Sequence, residues 1–131
     1  MIEADRMNVQ PRAALHLLLA SAFLCSNVSA EDSAAARTLR FNRDVRPILA
    51  EFCLHCHGPD DQHREADLRL DLAEHAVDIA IIPGTPEKSS LIERIESSDP
   101  DSRMPPPESK KELSADQIQT LKRWIRQGAE Y

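Results

Sequence analysis

Apolar residues recur at helical spacing near the middle of this chain and again at its C-terminal end. The first stretch follows Pro47, which suits the first turn of a helix because proline lacks an N–H group. Asn42 is the expected cap for that turn. The pattern predicts a short helix that carries residues 53–57 at its C-terminal end and is ended by Gly58-Pro59. Its apolar stripe consists of Ile48, Leu49 and Phe52.

The last stretch is predicted to be the best-marked helix of the chain. Ser114 is the expected N-cap, Gln117 completes a capping box, and Leu113 can form a hydrophobic staple with Ile118. Gly128 is a natural stop. We expect Trp124 to pack against the first helix. The apolar face is made by Ile118, Leu121, Trp124 and Ile125.

Shorter elements are predicted between these two helices. Leu68, Leu70 and Leu72 alternate with charges, which indicates a short extended segment, and residues 73–78 favour one helical turn. Thr85-Pro86-Glu87 is a good helix start, with a cap, a proline and an acid in the first turn. That helix would have a narrow apolar face and end within residues 97–101. The face consists of Leu91, Ile92 and Ile95.

The N-terminal region has the features of an export signal. Arg6 and Arg12 precede an apolar run over residues 13–28, and Val28-Ser29-Ala30 offers the small residues that a signal peptidase requires. Residues 1–30 are therefore predicted to be a signal peptide cleaved after Ala30, with an uncleaved N-terminal membrane anchor as the alternative. Residues 31–40 are predicted to be a flexible linker and residues 41–131 one domain.

Five consecutive residues, Cys53-Leu54-His55-Cys56-His57, carry the clearest chemistry. Cys-x-x-Cys-His is the attachment signature of a c-type haem. Two thiols one helical turn apart can add to the two vinyl groups along one edge of the porphyrin. The imidazole that follows can bind the iron as its proximal ligand. His55, inside the motif, is expected to be a solvent-exposed spacer.

Three other interpretations of the cysteine pair compete with haem attachment. A thioredoxin-like centre would need a βαβ unit, and none can be traced around the motif. A structural zinc site could draw on Cys53, Cys56, His57 and His63, but adjacent ligands strain a tetrahedral site and no second Cys-x-x-Cys is present. A disulfide over so short a loop would stabilise little.

The sixth position of the iron has one candidate thioether ligand. Met104 is followed by Pro105, Pro106 and Pro107, and the only other methionines lie in the predicted leader. His63 and His75 are the alternative ligands. In this interpretation Ile79, Ile81 and Ile82 form a loop wall against the ring, and Trp124 could donate its indole N–H to a propionate.

Composition supports a small exported redox protein. The mature 101 residues would hold four aromatic side chains, so a covalent porphyrin would supply apolar bulk that the chain lacks. The formal net charge is −6, which makes nucleic acid an improbable partner. A redox partner protein with a basic docking face is the better expectation. Bacterial haem c is attached outside the cytoplasm, so we expect a periplasmic location or one on the outer face of the cytoplasmic membrane.

The sequence resembles class I cytochromes c, and more closely the planctomycete-type cytochrome c domain. The resemblance covers most of residues 41–131 and implies an all-α fold with crossing first and last helices. It also implies His57 as proximal and Met104 as distal ligand. Related sequences tend to have glycines where this chain has Glu65-Ala66-Asp67. The matching stretches are residues 44–49, Cys53–Gly58, Leu68–Asp71, Pro83–Ser89, Arg103–Pro106, Leu113-Ser114 and Trp124–Ala129.

These observations predict an electron carrier with one covalent haem c, tethered by Cys53 and Cys56 and ligated by His57 and Met104. No carboxylate pair or nucleophile–base set suggests a substrate-transforming enzyme. One alternative is a haem-based redox or gas-sensing regulatory module in which Met104 leaves the iron. Another is a haem-free zinc-binding or thiol-disulfide module.

Overall fold

The computed structural model describes residues 37–131. Within that range the chain is helical and has no strand, and the one β-type pairing is an isolated bridge between Val77 and Ile81. The predicted all-α class is therefore confirmed for these residues. The predicted leader of residues 1–30 and the first part of the predicted linker lie outside the described residues.

Within residues 37–131, four short α-helices are joined by turns and loops. Helix α1 follows directly from a π-helical turn, and helix α3 follows a short 3₁₀ turn; a second 3₁₀ turn lies before α4. The helices are α1 (Arg46–Phe52), α2 (Ala73–Ala76), α3 (Ser90–Glu96) and α4 (Ala115–Arg126). The turns are the π-helical Phe41–Val45 and the 3₁₀ turns Pro86–Lys88 and Pro107–Ser109. Between Arg37 and Tyr131, no helix is long and apolar enough to cross a membrane.

The first helical segment begins earlier than predicted. Pro47 lies in the first turn of α1, as expected, but Asn42 as its cap is wrong because Asn42 lies within the preceding π-helical turn. At the N-terminal end of that turn, the Asp44 side chain accepts a backbone N–H group instead. Its carboxylate accepts the backbone N–H of Arg40 at 2.8 Å and pairs with the guanidinium of Arg43 at 2.9 Å.

Helix α4 has the ends that the sequence predicts. The Ser114 hydroxyl accepts the Gln117 N–H at 3.3 Å, and the Gln117 side chain accepts the Ser114 N–H at 2.8 Å, which completes the capping box. At the other end, Gly128 has a φ of 108° and donates to the Ile125 carbonyl. Ala129 donates to the Trp124 carbonyl, so the helix ends in a Schellman motif.

Helix α4 packs back onto the first helical segment through three aromatic rings. The centroid of Phe41 lies 5.7 Å from that of Trp124 and 4.2 Å from that of Tyr131. The expected packing of Trp124 on the first helical segment is confirmed. Its indole N–H donates to the Glu130 carbonyl at 2.9 Å, so the alternative hydrogen bond to a propionate is wrong.

The last residues of the predicted linker are attached to this end of the molecule. Leu39 is buried, and its N–H donates to the side-chain oxygen of Gln127 at 2.8 Å. The Gln127 amide in turn donates to the Arg37 carbonyl at 3.2 Å. One side chain from the end of α4 therefore fastens residues 37–39 to the domain.

The segment over residues 65–72 is a series of turns, so the predicted extended segment is wrong. Ala66 and Asp67 have φ angles of 57° and 53°, in the left-handed region. These are the positions where related sequences tend to have glycine, the residue that adopts such angles without strain. The two turns bring Leu70 into the core, where it is almost fully buried.

Helix α3 starts in two steps. The 3₁₀ turn at Pro86 comes first, and Ser89 then precedes the α-helix. Thr85 as a side-chain cap is wrong because its hydroxyl donates to the Ile82 carbonyl at 3.3 Å. Ser89 is buried, and its hydroxyl accepts the Ile82 N–H at 2.9 Å. The predicted apolar face of Leu91, Ile92 and Ile95 is confirmed as buried.

Candidate functional site

The Cys-x-x-Cys-His signature forms a turn of its own directly after α1. The helix ends at Phe52, earlier than the predicted end at Gly58. Cys56 and His57 both donate their N–H groups to the Cys53 carbonyl, at 3.1 and 2.8 Å. The two thiol-bearing residues are thus one turn apart, as covalent attachment to two vinyl groups requires.

Gly58 closes this turn and has no room for a side chain. A Cβ atom at that position would overlap the main-chain carbonyl of Leu54. Gly58 is also buried. Only glycine allows the chain to pass this close to the signature turn without displacing it.

Main-chain hydrogen bonds tie the signature to the segment that follows. The N–H of Glu65 donates to the Cys56 carbonyl, and the N–H of Leu70 donates to the His57 carbonyl, both at 2.8 Å. Arg64 adds a hydrogen bond from its guanidinium to the Gly58 carbonyl at 3.1 Å. The signature and residues 64–70 therefore form one unit, with Leu70 in the core.

A cavity of about 520 Å³ opens beside the signature. Four residues singled out in the sequence line it together, namely Cys53, Cys56, His57 and Met104. Such a volume is in the usual range for small-molecule and cofactor sites. Most of the other side chains lining it are apolar, including Phe52, Leu68, Leu70, Ala80, Leu91, Ile95, Pro105 and Pro106.

The predicted isoleucine wall is wrong. None of Ile79, Ile81 and Ile82 lines the cavity; Ala80 lines it in their place. Ile79 is 65% exposed, whereas Ile81 is fully buried in the core. The Leu91 N–H donates to the Ala80 carbonyl at 3.0 Å, and this bond helps to hold Ala80 beside the cavity.

Within residues 37–131, the two histidines outside the signature, His63 and His75, do not reach the cavity. His63 is exposed, and its Nδ1 lies 2.8 Å from a carboxylate oxygen of Asp60. Its ring also lies against that of His55, with centroids 5.1 Å apart. His55 is exposed at the cavity edge, as a spacer should be. His75 is exposed on α2 and, like His63, is absent from the cavity lining.

Burial keeps the Cys53 thiol neutral. Burial raises its pKa to about 12, and the nearby Lys111 ammonium opposes that shift. Thiol–disulfide centres depend on a lowered thiol pKa, because the thiolate is the nucleophile. Both cysteines of the signature are free of a disulfide. This environment disfavours the thiol-disulfide alternative.

His57 is held in a form that suits metal binding. Burial lowers the pKa of its imidazole, although the Glu65 main-chain carbonyl opposes the shift. The neutral ring keeps a lone pair for a metal. Its buried Nδ1 atom lacks a hydrogen-bond partner within residues 37–131. Leaving such an atom unpaired costs free energy, which points to a function for this side chain.

The zinc alternative lacks a ligand set in the described part of the chain. No group of three or more His, Cys, Asp or Glu side chains is placed there to hold a metal ion. A haem fits the same residues better, because the porphyrin would supply four of the iron's ligands and the cavity needs to add only two. The paired thiols, the buried imidazole and the apolar lining suit a covalently held haem.

Met104 is fixed through its backbone. Its N–H donates to the Arg94 carbonyl at the end of α3, at 3.0 Å. The Arg94 guanidinium also donates to the Ser102 carbonyl at 3.4 Å. Helix α3 therefore sets the position of Met104 relative to the cavity.

Two cations at the cavity were not predicted from the sequence. Arg94 and Lys111 both line it, and the Lys111 ammonium donates to the Glu51 carbonyl at 2.5 Å. Lys111 follows the proline run, and no pattern in the neighbouring residues indicates that its side chain lines a cavity. Arg94 lies on the exposed side of α3. Charged residues at such positions usually indicate a solvated surface, so only the fold reveals their place.

One comparison with known proteins gives a match over this site. Residues 53–108 match the family model described as Planctomycete cytochrome C. The resemblance inferred from the sequence is confirmed over that stretch. The match indicates a haem-based function and a carrier rather than an enzyme, with haem c as the cofactor that the family implies. No curated protein and no solved structure matches the chain.

Proposed function

Because this chain carries a planctomycete-type cytochrome c domain, we propose that it is an electron carrier with one covalently attached haem c. Cys53 and Cys56 form the two thioethers. His57 is the proximal ligand of the iron and Met104 is the distal one. When bound, the haem supplies the one-electron ferric–ferrous couple.

One observation carries this proposal. Met104 lies 47 positions after His57 in the chain, yet both side chains line the cavity that Cys53 and Cys56 also line. A thioether and an imidazole that share one apolar cavity with a Cys-x-x-Cys pair are the set that a His/Met-ligated haem c needs.

The chain's own residues would tune the haem in three ways. The apolar lining, of which Leu70 and Leu91 are buried members, excludes water and so favours the less charged ferrous state. The fastened backbone of Met104 holds a thioether near the iron, and that ligand also favours the ferrous state. Lys111 adds positive charge at the edge of the cavity.

The proposal is tested by visible spectroscopy of the protein exported from a host with haem maturation. We expect a reversible one-electron titration and the reduced-minus-oxidised spectrum of a six-coordinate haem c. Met104→Ala should change the spectrum to five-coordinate while the haem stays covalently attached. An unchanged spectrum in that variant would contradict the ligand assignment.

Histidine variants are the matched controls. His63→Ala and His75→Ala remove the two alternative ligands, and both should leave the wild-type spectrum intact. A five-coordinate spectrum in either variant would move the distal ligand away from Met104. A protein with attached haem but no reversible one-electron couple would contradict the carrier function.

We further propose that the protein works outside the cytoplasm and delivers electrons to a partner with a basic docking face. The export features of residues 1–30 and the net charge of −6 support this. Cell fractionation and the mass of the purified chain test export and cleavage after Ala30. Retention in the cytoplasm would contradict the proposal, and salt-insensitive electron transfer would contradict the charged docking face.

A further inference from the structure

Tyr131 lies beyond the end of α4, yet its side chain reaches the segment that follows the signature. Its hydroxyl donates to the Leu70 carbonyl at 3.2 Å, across 61 positions of the chain. The Leu70 N–H in turn donates to the His57 carbonyl at 2.8 Å. A line of two hydrogen bonds therefore runs from Tyr131, through the main chain of one residue, to the main chain of the proximal-ligand candidate.

The Tyr131 ring is held where α4 packs on the first helical segment. Its centroid lies 4.2 Å from that of Phe41 and 5.3 Å from that of Trp124, which it meets edge to face. The Trp124 indole N–H donates to the Glu130 carbonyl at 2.9 Å and so fixes the main chain directly before Tyr131. The packing at the end of α4 therefore determines where the hydroxyl is placed.

Leu70 connects this hydrogen bond to the cavity. Its side chain lines the cavity and is almost fully buried. Its main chain is bonded on one side to His57 and on the other to Tyr131. Removing the Tyr131 hydroxyl takes one of these two bonds away, so Leu70 would be held less firmly against both the cavity and His57.

The Tyr131 hydroxyl is a donor at neutral pH. Burial raises the pKa of this phenol, and the Asp71 carboxylate adds to the shift. Asp71 is itself paired with the Arg69 guanidinium at 2.5 Å. The hydroxyl therefore stays protonated, and its bond to the Leu70 carbonyl is a constant part of the structure.

We propose that Tyr131 is a positioning residue for His57 and acts through the main chain of Leu70. Hydrogen bonds around a metal ligand orient its ring, and they are one of the means by which a protein tunes a haem. The bond from Tyr131 holds Leu70 in the cavity wall and the His57 main chain in one place. This inference rests on the proposed ligation by His57, and it extends the site to a residue that follows α4.

The test compares two substitutions of Tyr131 in the matured protein. Tyr131→Phe removes the hydroxyl and keeps the ring, whereas Tyr131→Leu removes both. In Tyr131→Phe we expect a threefold shift of the redox equilibrium toward the ferric state, which lowers the reduction potential by about 28 mV at about 59 mV per tenfold change. A less firmly held Leu70 admits water to the cavity, and water favours the more charged ferric state.

Two further measurements separate positioning from simple packing. The haem methyl resonances in the proton NMR spectrum of ferric Tyr131→Phe should move, because they depend on the orientation of the axial imidazole. Tyr131→Leu should lower the potential by a similar amount but lose more stability to denaturant, because ring packing supports the fold and the hydroxyl acts on the site. A potential that changes only in Tyr131→Leu would overturn the proposal.

Thr120→Val is the matched control. The Thr120 hydroxyl donates to the Asp116 carbonyl at 2.8 Å on α4, and Thr120 does not line the haem cavity. This variant should keep the wild-type potential and methyl resonances. Wild-type values in Tyr131→Phe, or equal shifts in Thr120→Val, would overturn the positioning role. The wild-type spectrum is recorded first: if it shows the His57/Met104 ligation, such a result leaves the electron carrier standing, whereas a wild type without covalent haem overturns both.

Discussion

Gly58 lies directly against the main-chain carbonyl of Leu54, so the signature turn is closed by a contact that no side chain can enter. Gly58→Ala should lower the free energy of unfolding by about 1–3 kcal/mol, the usual effect of forcing extra volume into a packed site. Chemical denaturation of the matured protein measures this change. The covalent haem content should fall as well, because the two thiols would be displaced.

Gly84→Ala is the control for that prediction. Gly84 also requires its glycine for a positive φ, but a Cβ there would meet open space. The variant should lose about 1–2 kcal/mol from backbone strain alone and keep full haem attachment. If both variants attach haem equally well, the contact between Gly58 and Leu54 does not shape the signature.

Ala66 and Asp67 carry left-handed backbone angles without being glycine. Ala66→Gly should raise the free energy of unfolding by about 0.5–1 kcal/mol, since relief of strain outweighs the extra flexibility of glycine when unfolded. Asp67→Gly should gain less, because aspartate tolerates this region better than alanine. Denaturant titration of the wild type, Ala66→Gly and Asp67→Gly gives the order of their free energies of unfolding.

Ala50→Gly makes the same exchange on the exposed face of α1 and should destabilise by about 1 kcal/mol. Opposite signs for the Ala66 and Ala50 variants are the expected result. A loss of stability in Ala66→Gly would show that the turn does not depend on the left-handed angle.

Asp44 should make stability depend on pH. The Arg43 guanidinium, and then the Arg40 backbone N–H, hold the pKa of this carboxyl below its usual range. The ionised form is thus favoured by folding, and its contribution is present at neutral pH and lost progressively as the pH falls below about 4. Asp44→Asn should therefore be less stable than wild type at pH 7, with a gap that narrows in acid.

Thermal unfolding of the wild type and of Asp44→Asn, from pH 7 down into the acid range, measures this difference in stability. Asp61→Asn, in the exposed loop after the signature, should track the wild type throughout. A gap between Asp44→Asn and wild type that stays constant down to the lowest pH would contradict the role given to the carboxylate.

Lys111 should raise the reduction potential of the haem. A cation at the cavity edge disfavours the more positive ferric state, so Lys111→Gln should lower the potential. We expect about 10–40 mV, because exposed charge pairs interact by up to about 1 kcal/mol and a one-electron couple shifts about 59 mV per tenfold change. Lys110→Gln, next to it but outside the cavity lining, should have a smaller effect. Equal shifts of the reduction potential in the two variants would mean that the potential depends on the net charge of the protein and not on the position of the cation.

Local signals in the sequence predicted the structure correctly where one or two residues determine the backbone conformation. Ser114 with Gln117, and Gly128, predicted both ends of α4 because caps act over three or four residues. The signature and Met104 predicted which side chains share a cavity. These assignments need little knowledge of the rest of the fold.

Orientation within loops could not be predicted in the same way. Which residue of the run over 79–82 faces the cavity depends on the left-handed Asp78 and on the hydrogen bond from Leu91 to the Ala80 carbonyl. The hydrogen bond depends on how this run lies against α3, which the pattern of apolar residues does not encode. Asp44 takes the place of Asn42 for a similar reason, since a π-helical turn that begins at Phe41 precedes α1 and contains Asn42.

The central claim is that a haem is covalently bound through Cys53 and Cys56. The most direct measurement is the mass of the exported, matured protein under denaturing conditions, together with haem-dependent staining of the denatured band. We predict the mass of the mature chain plus one haem, and loss of the denaturation-resistant colour when both cysteines are replaced by serine. A colourless protein with the mass of the bare polypeptide would contradict the account.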